Sequence, residues 1–459
     1  MPATSTNDNF CRLMLSAAIN RYPVPILINW GAKEAKDAYV QHLAKVWTIL
    51  DYLEKMIDRN QNDDLVLIID GFDIHFQLPP EVLISRYFAE NERANKRIEA
   101  QLGEEIMREQ GIRQTVIFGH DKLCWPTDWK RPACWLVPEA SDPRYSYGPR
   151  AGADPTLSRA RWLNSGTILG PVEAIRDIFR ATLDLIHRNH TTDSDQFYFA
   201  NVWADQEHAR RLLEAEPYKG VNKAEVNFPE LIPGNRTEYF FGLDYEGVLF
   251  QTMAFFREFI AWETFNGVVT PKISSIWKPT NKQQRLIKRD QYYAKILPDD
   301  IANARGPFSA VLEIQAKQRL ENPAAEIVNS SAITAQTWRD LSLGVNANSN
   351  QIFPLLHFTG PKEFRKLWWP RLWFMPWAEE LLRASVKARG GTLGDKPLGG
   401  KLWWPGLMGN ESAADWGEKG GAWSDGGEWL KWEGLCSKHE GVIYGRERDK
   451  SGARLGNGG

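Results

Sequence analysis

Two carboxylates, Asp70 and Asp73, stand three positions apart at the end of an apolar run. That run, Leu65–Ile69, has no polar residue, so it reads as a strand buried on both faces. Carboxylates at the carboxyl end of an interior strand lie where open α/β sheets bind ligands. Two hard oxygen donors there suit a divalent cation that also grips substrate phosphates, as Mn²⁺ or Mg²⁺ does. Further on, Asp193 and Asp195 open a helix, where a carboxylate either caps the helix or offers its charge to a substrate. Asn164 begins an Asn-Ser-Gly turn and could orient hydroxyl groups.

The elements that position these residues alternate between strand and helix. Residues 10–20 read as a helix and 24–29 as a strand. Residues 35–59 form an amphipathic helix whose face Tyr39, Leu43, Val46, Leu50, Leu53 and Ile57 steps by four and three. After the strand to Asp70, Pro80 starts a helix that runs to about residue 97. Short strands follow at 115–118 and 167–169, then a helix at 172–187. This order predicts an α/β fold with a parallel or mixed sheet and helices on both faces. Residues 266–345 read as an insertion or small subdomain with a helix near 310–319. Residues 351–356 restore a buried strand that ends on His357, and 388–459 form a Trp- and Gly-rich extension expected to wrap over the body.

Charged residues make up 25% and hydrophobic ones 43%, an ordinary globular balance. The net charge of −2, with basic residues scattered, gives no electrostatic case for nucleic acid or an anionic membrane as partner. Four cysteines are too few for a disulfide scaffold. Cys124 and Cys134 bracket a Trp- and Pro-rich loop and either bridge it or stay as buried thiols; Cys11 and Cys436 cannot be paired from sequence. The sequons at Asn189, Asn235, Asn329 and Asn410 are about as many as chance supplies. No signal peptide opens the chain and no run of eighteen apolar residues crosses it.

Several motifs in order resemble the glycosyltransferase domain of procollagen lysyl hydroxylases, which use nucleotide sugars and have the GT-A fold. They are Asp70-Gly-Phe72-Asp73, Cys124-Trp125-Pro126, Leu163-Asn164-Ser165-Gly166, Asp193-Ser-Asp195-Gln196, Leu243-Asp244, Phe250-Gln251 and His357-Phe-Thr-Gly360-Pro361-Lys362. The likeness covers residues 1 to about 260 and resumes near 350. It implies that Asp70, Asp73 and His357 hold Mn²⁺ or Mg²⁺ on the donor diphosphate. It implies donor contacts from Phe72, Lys45, Trp125, Gly360, Lys362 and Thr4, with Phe72 stacked on uracil and Lys362 neutralising pyrophosphate. Asp193, Asp195 and Asn164 then serve the sugar. The chain departs from the pattern at Phe72, which lacks a tyrosine hydroxyl, at Ser194 within the acidic cluster, and at Thr359 in place of Asn.

The resemblance thus implies a GT-A (Rossmann-like) core over 1–265, the insertion at 266–345, a return to the core at 346–387 and the extension at 388–459. The implied activity is Mn²⁺-assisted transfer of a hexose from a UDP-sugar to a hydroxyl acceptor, in a Golgi or secretory lumen. An inactive nucleotide- or glycan-binding relative is the alternative. A metal-dependent nucleotidyltransferase is another, although the chain opens without a Gly-rich phosphate loop. The hydroxylase motif, His-x-Asp with a distal His, is not found. GT-A sheets begin with a strand, yet residues 1–9 hold no apolar run. The reading therefore expects an upstream strand and, before it, a membrane anchor of about 20 apolar residues.

Overall fold

The computed structural model describes residues 1–32, 38–141, 154–189, 193–267, 296–321, 334–406 and 415–446. The chain opens with α1 (Asp8–Ile19), β1 (Ile26–Leu27) and α2 (Ala38–Ile57). Asn7 caps α1 by accepting from the amides of Asn9 and Phe10, and Phe10 to Ile19 bury most of that helix. The expected apolar face of α2 packs through Val46, Leu50 and Leu53. Next come β2 (Leu65–Ile69), β3 (Ile74–Phe76), α3 (Pro80–Leu102), α4 (Glu104–Gln110) and β4 (Val116–Asp121). A short helix α5 (Pro132–Trp135) precedes β5 (Trp162–Pro171), α6 (Val172–Asn189) and α7 (Asp195–Arg211). Short strands β6 (Phe241–Leu243), β7 (Phe250–Thr252) and β8 (Ile260–Glu263) follow. Then come α8 (Asp299–Ala302), α9 (Ser309–Glu321), β9 (Leu343–Asn346), β10 (Gln351–Ile352) and β11 (Leu355–His357). The last elements used below are α10 (Ala378–Lys387), β12 (Gly421–Ser424) and β13 (Trp429–Lys431).

The protein is mixed α/β, but its strands are divided among small sheets. The largest has the order β2-β5-β4-β6, with β5 antiparallel to both neighbours and β4 parallel to β6. A second sheet sets β11 between antiparallel β3 and parallel β7. The run expected as one strand over 351–356 is split at Phe353-Pro354. Pro354 has no N–H to give a ladder, so β10 pairs with β9 while β11 joins β3 and β7. The expected strand over 24–29 is regular only at β1, which pairs with β12 from the far end of the chain.

Residues 1–4 run alongside β1 through an isolated bridge between Pro2 and Ile28. Met1 and Ala3 are buried, and the amides of Ala3 and Ile28 bond Ile28 O and Met1 O at 3.1 and 2.9 Å. A Cβ on Gly71 would lie 2.3 Å from Pro2 O, so the turn after β2 and this segment approach each other through a glycine. The described parts of 266–345 join the main core through Leu297, Phe308, Trp338 and Leu341. The Trp-rich extension does the same: Trp432 and Ile443 are buried, and Trp369 Nε1 donates to Ile443 O at 2.8 Å.

Both cysteine pairs are bridged: Cys124 to Cys134, and Cys11 on α1 to Cys436. These bonds are consistent with an oxidising compartment. Among the described residues no helix is long and apolar enough to cross a membrane. Denatured without reductant, the chain should titrate no free thiol and, after reduction, all four. Cys436→Ser should lower unfolding free energy on the order of 5 kcal/mol, because the Cys11–Cys436 loop is very long. Free thiols before reduction, or a loss below about 1 kcal/mol by urea denaturation, would contradict the long-range bridge.

Candidate functional site

Lys45 lies on the buried face of α2, one residue before Val46, and its side chain is only 8% exposed. A buried ammonium needs partners, and three surround it. Its Nζ lies 2.9 Å from Asp70 Oδ1, 3.2 Å from Asp195 Oδ2 and 2.9 Å from Ser165 O. Burial works against the charge of Lys45, but Asp195 and Asp70 outweigh it and hold the ammonium above the usual lysine range. Asp70 shows the mirror effect: burial favours its protonated form, and Lys45 with His357 overcomes it and depresses the carboxyl. Asp195 is likewise depressed against its burial, first by Lys45 and then by His42. His42 Nδ1 stands 3.5 Å from Asp195 Oδ1, a contact that raises the imidazole above its ordinary value.

The backbone that brings Asp70 and Lys45 together is a bulge. In the β4–β5 ladder Phe118 faces Ile168, whereas the next residue, Gly119, faces Asn164. Ser165, Gly166 and Thr167 therefore bow out of register, as extra residues in a ladder must. Ser165 O reaches Lys45, and Gly166 O accepts from Asp70 N at 3.0 Å. Gly166 also leaves room: a Cβ there would lie 2.2 Å from His357 Cε1 and 2.5 Å from Asp70 Oδ2.

Asp70 Oδ2 and His357 Nε2 are 3.6 Å apart across that gap. An octahedral ion about 2.1 Å from each donor holds neighbouring donors about 3 Å apart. A carboxylate oxygen and an imidazole nitrogen are a donor set that suits Mn²⁺. The pair therefore fits a divalent ion that draws its other ligands from phosphate and water. Asp73, the third expected ligand, is not brought to the gap. The turn from β2 to β3 carries the chain from one sheet to another, and Asp73 is held by Lys362 Nζ and Arg365 Nη1, each at 2.6 Å. Among the described residues no group of three metal-ligating side chains stands together.

The remaining expected residues divide the same way. Asn164 joins the cluster: its Nδ2 donates to Asp121 Oδ2 at 2.9 Å and Gln196 Oε1 at 3.3 Å, and its Oδ1 accepts from Gly166 N. Asp193 does not share in the Lys45 network; its Oδ1 accepts from Ser194 N and Ser194 Oγ, and Ser194 is the residue that caps α7. Phe72 packs against Phe10, 6.5 Å between centroids, and its carbonyl accepts from Arg365. Thr4 O accepts from Gly31 N at 3.2 Å. Trp125 is 60% exposed, while its loop-mate Trp129 stands against Trp162, two residues before Asn164. Gly360 has φ +71 and turns the loop after β11, and Thr359 Oγ1 ties that loop to the amides of Met253 and Ala254.

Sequence reasoning passed over Asp121. It ends a buried strand, the same signal that singled out Asp70, but it stands alone there without a second carboxylate. Its Oδ1 is buried and has no hydrogen-bond partner. Burial lifts the Asp121 carboxyl to about 7, against the pull of the Asn164 bond. His42 and Arg365 were passed over too, since neither lies in a motif. With this geometry in hand, comparison with known proteins adds no relative: no protein-family model matches the chain, and no curated protein matches it.

Two outcomes follow from the site. Lys45→Met leaves the buried Asp195 and the partly exposed Asp70 without their cation, so unfolding free energy should fall by about 2–3 kcal/mol, less than for a fully buried pair. A fall below about 1 kcal/mol in urea would mean that the network is not dry enough to matter. Asp121 keeps its proton up to about pH 7 in the folded chain, against 3.8 for the ordinary carboxyl. Between those values the unfolded chain binds fewer protons, so this group's contribution falls as pH rises and is level above 7. Asp121→Asn should remove that slope; urea midpoints of variant and parent that run parallel from pH 4.5 to 7.5 would exclude the raised pKa.

Proposed function

We propose that this chain transfers a hexose from a UDP-sugar to a hydroxyl acceptor, assisted by a divalent cation at Asp70 and His357. The observation that supports this reading best is the meeting of Lys45, Asp70, Asp195, Asn164 and His357, drawn from five separate segments. A buried lysine clamped between the buried Asp195 and the partly exposed Asp70 does not favour stability over an apolar core, which argues that charge at this point serves something else. The order of the motifs matches that of the procollagen lysyl hydroxylase glycosyltransferase domain, and the bridged Cys124–Cys134 loop and oxidised Cys11–Cys436 pair suit a Golgi-type lumen.

In this reading Asp70 and His357 would hold the ion, which when bound would supply Lewis-acid charge for the donor diphosphate. Lys362 and Arg365, now on Asp73, follow within eight residues of His357 and supply further positive charge to phosphate oxygens. Asp195 offers a fixed negative charge to the sugar as positive charge develops on it. Asn164 and the unpartnered Asp121 Oδ1 hold sugar or acceptor hydroxyls. Phe72 and Trp125 remain the candidates for stacking on base and sugar. One observation favours a second reading, binding without turnover: Asp73 is already satisfied by two cations and adds nothing to the ion.

Purified chain should release UDP from at least one UDP-hexose in the presence of Mn²⁺, and chelation should abolish it. Asp70→Asn and His357→Ala should each lower the rate at least ~100-fold, and Asp73→Asn much less. Saturable UDP binding without release would select the second reading. Neither binding nor release with any UDP-hexose would remove both.

A further inference from the structure

A cavity of about 490 Å³ lies away from this cluster, between α1, the end of α10 and the Trp-rich extension. That volume is within the range of about 300–1,000 Å³ that encloses drug-sized ligands. One wall is apolar, from Met14, Ala17 and Val386, and another is aromatic, from Trp404, Trp416 and Trp423. The charge around it is of one sign. Arg21, Arg305, Arg389 and Lys419 line the cavity, and among the described residues no carboxylate does.

Three of those cations are neutralised from outside the cavity. Arg21 pairs with Glu313, Arg305 with Asp395, and Lys419 with Glu379 and Glu440. Arg389 is different. Its Nη1 donates to Val386 O at 3.1 Å and its guanidinium lies 4.6 Å from the centre of Trp416, and among the described residues no carboxylate pairs with it. Tyr22 and Trp423 also line the cavity, and Trp423 is only 4% exposed, so the floor beside the guanidinium is aromatic and dry.

We propose that this cavity is a binding site for a small organic anion with an apolar, flat body, its charge on Arg389 and its body along the Trp404–Trp416 wall. The apolar lining takes the body and excludes inorganic phosphate as an adequate ligand, while the unpaired guanidinium rejects a neutral analogue relative to the anion. The site shares no residue with the Asp70–His357 cluster, so its occupancy is independent of a nucleotide sugar.

The test titrates the full chain with 8-anilino-1-naphthalenesulfonate and with its uncharged analogue N-phenyl-1-naphthylamine, read by fluorescence and by calorimetry. The sulfonate should bind saturably at one site and at least ~10-fold more tightly than the neutral probe. Arg389→Gln, at an exposed position, should erase that preference while leaving the neutral probe's affinity unchanged. Trp416→Ala should weaken both probes at least ~10-fold. UDP with Mn²⁺ should leave the sulfonate's affinity as it was. Equal affinity for the two probes, a preference that survives Arg389→Gln, or displacement by UDP would each overturn the proposal.

Discussion

The contact on which the rest of the site depends is the buried ammonium of Lys45 between Asp70 and Asp195. Taking the charges of Lys45 and Asp195 out of water is expensive, and Asp70, still partly exposed, must be held where it helps to repay that desolvation. That requirement fixes α2, the end of β2, the Asn164–Thr167 bulge and the start of α7 relative to one another. None of these elements touches another in sequence. The polar cluster is thus also a gauge of the fold: a shift of any element by a residue would strand a charge in a dry interior.

The same accounting separates Asp70 from Asp73. Two carboxylates on consecutive turns of a loop repel when both are ionised, unless cations lie between or beyond them. Here Lys45 takes one and Lys362 with Arg365 takes the other, because the loop crosses from one sheet to the next. The site has two electrostatic halves that share a loop. In the His357 half the imidazole is buried behind the Gly166 bulge while Asp70 stays 35% exposed, whereas Asp73 is covered by cations of which Lys362 meets solvent.

Much of this could be read from the chain because it is local. The strand into Asp70, the apolar face of α2, the proline start of α3 and the helix after Ser194 all follow from neighbours a few positions away. Lys45 could be named from the family resemblance, yet its burial was not visible, because a lysine among leucines and valines on a helix reads as surface. What stayed hidden is non-local. The division into small sheets depends on where Pro354 interrupts pairing and on which distant strand arrives as partner. The bulge depends on a register shift between β4 and β5 that no spacing in either strand announces. Cys11 finds Cys436 only after the whole body has folded, so composition alone cannot pair them.

That last bond closes most of the chain into a loop, its two cysteines 425 positions apart. β1 waits for β12 over a similar stretch, and α1 packs against helices from the far end. An N-terminal segment emerging from a ribosome therefore lacks the surface that buries it, and its apolar residues must be sheltered until synthesis is nearly done. The first helix therefore has its full set of native neighbours only once the last segment is present, and the disulfide joins the two. Once sealed, a cut in any exposed loop of the body opens a ring and leaves one covalently joined molecule.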